Sequence, residues 1–120
     1  MRSPELWPTV NDRSFVPPVN SEYWDRDLET ISLHQREEII LKKIRCQVAY
    51  AYEHSGFYQE FWNKTTVDPG NVRDLEDFRR LPILTKDHLR FEQATNPPYG
   101  RYLCVSEDQI LRVHGTSGTT

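Results

Sequence analysis

No run in these 120 residues approaches the ~18–20 consecutive apolar residues that a membrane span requires. No signal-peptide pattern is present either, so a cytoplasmic protein with no membrane partner is expected. Cysteine is scarce. Cys46 and Cys104 lie far apart and read as reduced thiols, not as the frame of a disulfide scaffold. No Cys-x-x-Cys or His-x-x-x-His pair occurs, and His34, His54, His88 and His114 are scattered as surface or capping side chains. No metal site is therefore expected. Positive charge has no excess: 15 Lys and Arg stand against 18 Asp and Glu, for a net charge of −3. That balance, with a pI near 5.8, excludes the basic field that nucleic acid or anionic lipid would need. Apolar residues are few as well, at 37% with 5 glycines, against ~45–50% for a typical domain. With a mean hydropathy of −0.73, the chain has material for a thin core only.

What is present is helical for most of the length. Residues 1–21 carry Pro4, Pro8, Pro17 and Pro18 and read as an extended arm, with Trp7, Phe15 and Val16 as its apolar anchors. Ser32 followed by Gln35 has the form of a capping box and opens the strongest helical pattern, which runs to Ser55. Ile40, Leu41, Ile44, Val48, Ala51 and Tyr52 fall on one face of it, and Glu38 stands four residues before Lys42. Gly56 is expected to end this helix in the left-handed conformation. Phe57, Tyr58, Phe61 and Trp62 then form a short aromatic helix, read as core. Asp68-Pro69-Gly70-Asn71 is a turn, Asp74 caps a helix over residues 75–80, and Thr85 caps another over 86–92. Arg79, Arg80 and Lys86 read as solvated helix-face residues. After the break at Asn96-Pro97-Pro98-Tyr99-Gly100, two short strands are predicted, Tyr102 to Val105 and Ile110 to His114.

The second strand feeds Gly115-Thr116-Ser117-Gly118-Thr119-Thr120. Glycines that tolerate positive φ let successive backbone amides converge on one anion, and four hydroxyls can add to them. The run is not a Walker A loop, which needs Gly-Lys followed by Ser or Thr. By itself this composition is more often that of a flexible tail.

Several upstream segments decide between these readings. Trp24 to Thr30, Ala49 to Ser55 with Phe57 and Tyr58, and Leu75 to Arg90 resemble, in order, segments of the phenylacetate–CoA ligase family of adenylate-forming enzymes. The last of these resembles the family's LEDLRRLPxxTKxxLR segment, with Phe78 where that pattern has leucine. Thr116 to Thr120 resembles the opening of the family's Thr-Ser-Gly-Thr-Thr-Gly-Lys-Pro loop, with His114 where the group often has a histidine. The resemblance covers residues 22–120 and leaves the arm unassigned.

It implies an α/β fold for the intact protein, with this chain as a mostly α-helical N-terminal portion of the large adenylation domain, truncated inside the phosphate loop. It implies an AMP-forming acid–thiol ligase: carboxylate and ATP give acyl-adenylate and pyrophosphate, and coenzyme A then displaces AMP. An aryl acid such as phenylacetate is the implied substrate, with Mg2+ sharing the phosphate charge. Thr116, Ser117, Gly118, Thr119 and Thr120 are the implied phosphate-binding positions, and no catalytic residue falls within the chain. Made alone, the chain is expected to be inactive, to bind none of these cofactors and to self-associate, which leaves a homo-oligomer open. The competing reading is a non-catalytic helical interaction module derived from such a ligase.

Overall fold

The computed structural model describes residues 16–66 and 68–115. Among the described residues five α-helices follow one another: α1 (Arg26–Glu29), α2 (Leu33–His54), α3 (Gly56–Asn63), α4 (Leu75–Arg79) and α5 (Lys86–Thr95). Two 3-10 turns, Pro69–Asn71 and Glu107–Gln109, lie in the connections, and no strand occurs among the described residues.

Each helix begins at a residue whose side chain satisfies an amide that the helix leaves orphaned. For α2, Ser32 Oγ accepts from the Gln35 amide at 3.2 Å, while Gln35 Oε1 accepts from the Ser32 amide at 3.1 Å. Asp74 caps α4 by accepting from the Asp77 amide at 2.8 Å. At α5, Thr85 Oγ1 accepts from the His88 amide and His88 Nδ1 accepts from the Thr85 amide at 3.1 Å. His88 is thus a capping side chain, with its ring edge-on to Phe61 at 5.0 Å between centroids.

The 22-residue α2 is the longest element and carries the core. Val48 and Ala51 are buried on it, and Leu41, Ile44 and Tyr52 pack beside them. Ile40 departs from the predicted stripe and stays 41% exposed. Glu38 likewise contacts His34 one turn earlier, at 3.5 Å, instead of Lys42. Trp62 of α3, Val72 and Leu81 complete the buried cluster, with Phe61 and Tyr58 against it. Arg45 locks α2 onto the chain after the first 3-10 turn by donating to the carbonyls of Val72 and Arg73.

Gly56 does not end α2. The stop is Ser55, which is extended (φ −120°, ψ 116°) and serves both as C-cap of α2 and as N-cap of α3. A capping serine needs that extended backbone so that its oxygen can turn back onto the third amide, and Gly56 becomes the first residue of α3.

The two predicted strands are also absent. Tyr102 to Val105 forms turns and bends, and Ile110 to His114 is irregular. β-branched alternation records fitness for a sheet surface, whereas a ladder needs a neighbouring strand to exchange hydrogen bonds. Leu111 at 100% and Val113 at 64% exposure have no such neighbour among the described residues. Ile83 and Phe91, at 83% and 70%, are bare in the same way.

Candidate functional site

The predicted phosphate positions follow, in sequence, a segment that leaves the helical body after α5. That departure is tightly built. The peptide between Pro97 and Pro98 is cis, and Gly100 has φ +75°, with its amide donating to Asn96 O at 2.7 Å. Gln93 Nε2 closes the turn by donating to Pro98 O at 3.0 Å.

Arg101 follows, and the groups around it converge. Its amide and its Nε both donate to Glu92 Oε1, at 2.9 and 2.7 Å, and Nη2 donates to Glu92 Oε2 at 3.0 Å. Nη1 reaches Glu60 of α3 at 3.2 Å. The Arg101 carbonyl accepts from Ser55 Oγ at 2.9 Å and from the Phe57 amide at 3.4 Å. The Phe57 amide belongs to the first turn of α3, so a carbonyl from the departing segment satisfies one of its orphan donors. Ser55 is fully buried and Glu92 only 3% exposed. A carboxylate so enclosed must be paired, and Asn96 Nδ2 adds a further bond at 2.9 Å. The Arg101 side-chain hydrogen bonds hold Glu92 below the usual carboxylate range against the opposing effect of burial. Glu60 is lowered first by its hydrogen bond from Lys64 and then by Arg101.

Beyond Arg101, Tyr50 Oη donates to Cys104 O at 3.2 Å and holds the segment against α2. Burial pushes the Cys104 thiol up, which makes it a packing group and a poor nucleophile. Both cysteines are free thiols. They line one groove of about 920 Å³, between Tyr50 and His54 of α2, residues 69–73 and Val105. Its two arginines are already engaged, Arg45 with carbonyls and Arg73 with the buried Asp77 at 2.9 Å.

The chain next makes the Glu107–Gln109 turn, with Ser106 Oγ donating to Gln109 Oε1 at 3.1 Å, and runs without regular structure to Gly115. His114 and Gly115 are exposed, and a Cβ at Gly115 would meet no described residue within 4 Å. The five predicted phosphate positions, Thr116, Ser117, Gly118, Thr119 and Thr120, lie outside the described residues. Arg79 and Arg80 are exposed and paired with Glu76 at 3.3 Å and Asp77 at 3.6 Å, and Lys86 is exposed in the first turn of α5. Among the described residues there is no group of three or more metal-ligating side chains, and no helix is long and apolar enough to cross a membrane. The Arg101–Glu92–Ser55 junction gave no signal in the sequence, because its partners come from three elements and share no periodic spacing.

No family model matches the chain. Among curated proteins it is similar to the phenylacetate–coenzyme A ligase of Thermus thermophilus, 34% identical over 94 residues. It is also similar to the enzyme of the same name from Escherichia coli, 30% identical over 93 residues. Each match takes in 78% of this chain and 20% of the relative, so the chain spans about a fifth of the length of the curated proteins it matches. Among solved structures it superimposes on 2-hydroxyisobutyryl-CoA ligase in complex with 2-HIB-AMP and CoA in the thioesterification state. The TM-score is 0.82 at 41% identity, covering 91% of this chain and 23% of that one. The post-adenylation state of that ligase with R3-HIB-AMP gives 0.84 at 38% identity, over 94% and 24%. The resemblance carried by the sequence motifs is thus a resemblance to phenylacetate–CoA ligases in sequence and to an acyl-CoA ligase in structure.

Proposed function

We propose that this chain, a relative of the phenylacetate–CoA ligases over about a fifth of their length, is part of an AMP-forming carboxylic acid–CoA ligase and contributes its phosphate-gripping loop. The observation that carries this reading is the superposition at TM-score 0.82 and 41% identity on a ligase held with an acyl-AMP and CoA.

In the proposed reaction a carboxylate oxygen attacks the α-phosphorus of ATP and pyrophosphate leaves. The thiol of CoA then attacks the acyl carbon, and AMP leaves with the bond electrons. The role of Thr116, Ser117, Gly118, Thr119 and Thr120 is to present backbone amides and hydroxyls to the β- and γ-phosphate oxygens. Hydrogen bonds to charged oxygen are roughly twice as strong as neutral ones, and donors fixed in advance need no reorganisation as charge moves to the leaving pyrophosphate. The described residues do not furnish a magnesium site, so Mg2+ would be held by the phosphates and by groups outside them. No step is assigned to this chain through the metal.

The test is product identity in the chain extended to the length of its relatives. With Mg-ATP, CoA and a panel containing phenylacetate and 2-hydroxyisobutyrate, AMP and one acyl thioester should form in equal amounts. ADP with inorganic phosphate, or no thioester from any acid, would overturn the proposal.

A further inference from the structure

We propose that Arg101 is a positioning residue that sets the direction in which residues 102–115 leave the helical body, and hence where the phosphate loop presents its donors. This rests on the reading of that loop given above. Four observations converge on one residue. Both backbone polar atoms of Arg101 are engaged, the amide by Glu92 and the carbonyl by Ser55 and the Phe57 amide. Its guanidinium spans α5 and α3, pairing with Glu92 at 2.7 Å and Glu60 at 3.2 Å. The acceptors are enclosed: Ser55 is fully buried and Glu92 is 3% exposed. The residue before it is pinned as well, because Gly100 has φ +75° with the Tyr102 ring against its α-carbon.

Downstream the ties to the body thin out. Tyr50 holds the Cys104 carbonyl, Cys104 packs on the core, and the bonds of Ser106 to Gln109 are internal to the segment. Leu111 to Gly115 are exposed. Arg101 is therefore the first of two ties on this segment, ahead of the Tyr50–Cys104 contact, and a rotation at residue 101 changes the path that the chain takes into it. An ordinary surface ion pair would not do this, since exposed pairs hold little geometry. Here the planar fork of Arg101 meets a carboxylate fixed by Asn96 and by the Arg101 amide itself, so the orientation is over-determined.

Two measurements test it. In the 120-residue chain, backbone 15N relaxation reads the order of residues 102–110 relative to α2. Arg101→Leu should lower the heteronuclear NOE across 102–110 while Val48 and Ala51 stay rigid, and Glu60→Gln should do so more weakly. Arg101→Lys, which keeps the charge but not the fork, should restore only part of the order. Unchanged order in Arg101→Leu, or loosening spread evenly through α2, would overturn the anchor. Should Arg101→Leu fail to fold, the Lys and Gln variants decide the same question by the same readout. In the chain extended to the length of its relatives, Arg101→Lys should raise KM for ATP about ten- to a hundredfold with KM for the acid unchanged. A fall in kcat alone, tracking the folded fraction, would mean a structural role only. If the extended wild-type chain shows no turnover, the functional reading fails while the relaxation result still judges the anchor.

Discussion

A β-carbon placed on Gly100 would lie 2.6 Å from the Tyr102 ring, at a backbone φ of +75° that other residues rarely adopt. Gly100→Ala should therefore destabilise the chain by about 1–3 kcal/mol, read as a shift in urea midpoint at unchanged m. A Cβ at Gly115 meets no described residue within 4 Å, and Gly115→Ala should leave the midpoint unmoved. The carboxylates give a second expectation at this scale. The Arg101 hydrogen bonds lower Glu92, the Arg73 hydrogen bonds lower Asp77, and those from Lys64 and Arg101 lower Glu60. A carboxyl whose folded value lies below its unfolded one stabilises the fold above the unfolded value and ceases to do so as pH falls through the folded value. Thermal midpoints should thus be level from neutrality to about pH 5 and decline below ~4.3 and onward through the depressed range. Glu92→Gln should flatten part of that decline. A midpoint that rose on acidification would contradict the assignment. The Glu92–Arg101 pair was not legible in the sequence, because its residues meet only after the chain has doubled back through the Pro97–Pro98 turn.

Among the elements, the caps were the most legible part, since a capping serine, threonine or aspartate acts on an amide two or three residues away. Ser32, Asp74 and Thr85 cap the helices read from the sequence, and α5 runs three residues further than predicted, to Thr95. Position 55 shows where local reading stops. Glycine at 56 has the composition of a helix stop, yet Ser55 takes that role because its hydroxyl also meets Arg101 O at 2.9 Å. Ser55→Ala removes that bond and the cap on the Tyr58 amide together. It should cost about 1–2 kcal/mol, with amide exchange in α3 rising more than in the centre of α2. Equal acceleration in both helices would show that Ser55 does not separate them. The predicted strands were illegible for the opposite reason: their alternation is real, but the partner that would make them strands is not in the described residues.

At the scale of the molecule, the buried cluster among the described residues is small, and Ile83, Phe91 and Leu111 face solvent. Self-association at micromolar concentration is the expected behaviour, visible as a concentration-dependent sedimentation coefficient. The loop is expected to bind nucleotide poorly in this chain alone. Five hydrogen bonds at about 0.5–1.5 kcal/mol each give roughly 3–7 kcal/mol. Ordering six residues costs about 1–2 kcal/mol each, or roughly 6–12 kcal/mol, and charge on the phosphates at best closes that gap. Calorimetric titration of the 120-residue chain with millimolar Mg-ATP should release no heat, whereas a micromolar dissociation constant would mean the loop is already ordered. The central claim, that these residues belong to an enzyme that adenylates a carboxylate, is tested most directly by pyrophosphate exchange into ATP. In the chain extended to the length of its relatives, labelled pyrophosphate should enter ATP only when the acid is present, without any need for CoA, and Thr119→Ala should slow it. Exchange that requires CoA, or that proceeds equally well without an acid, would contradict the claim.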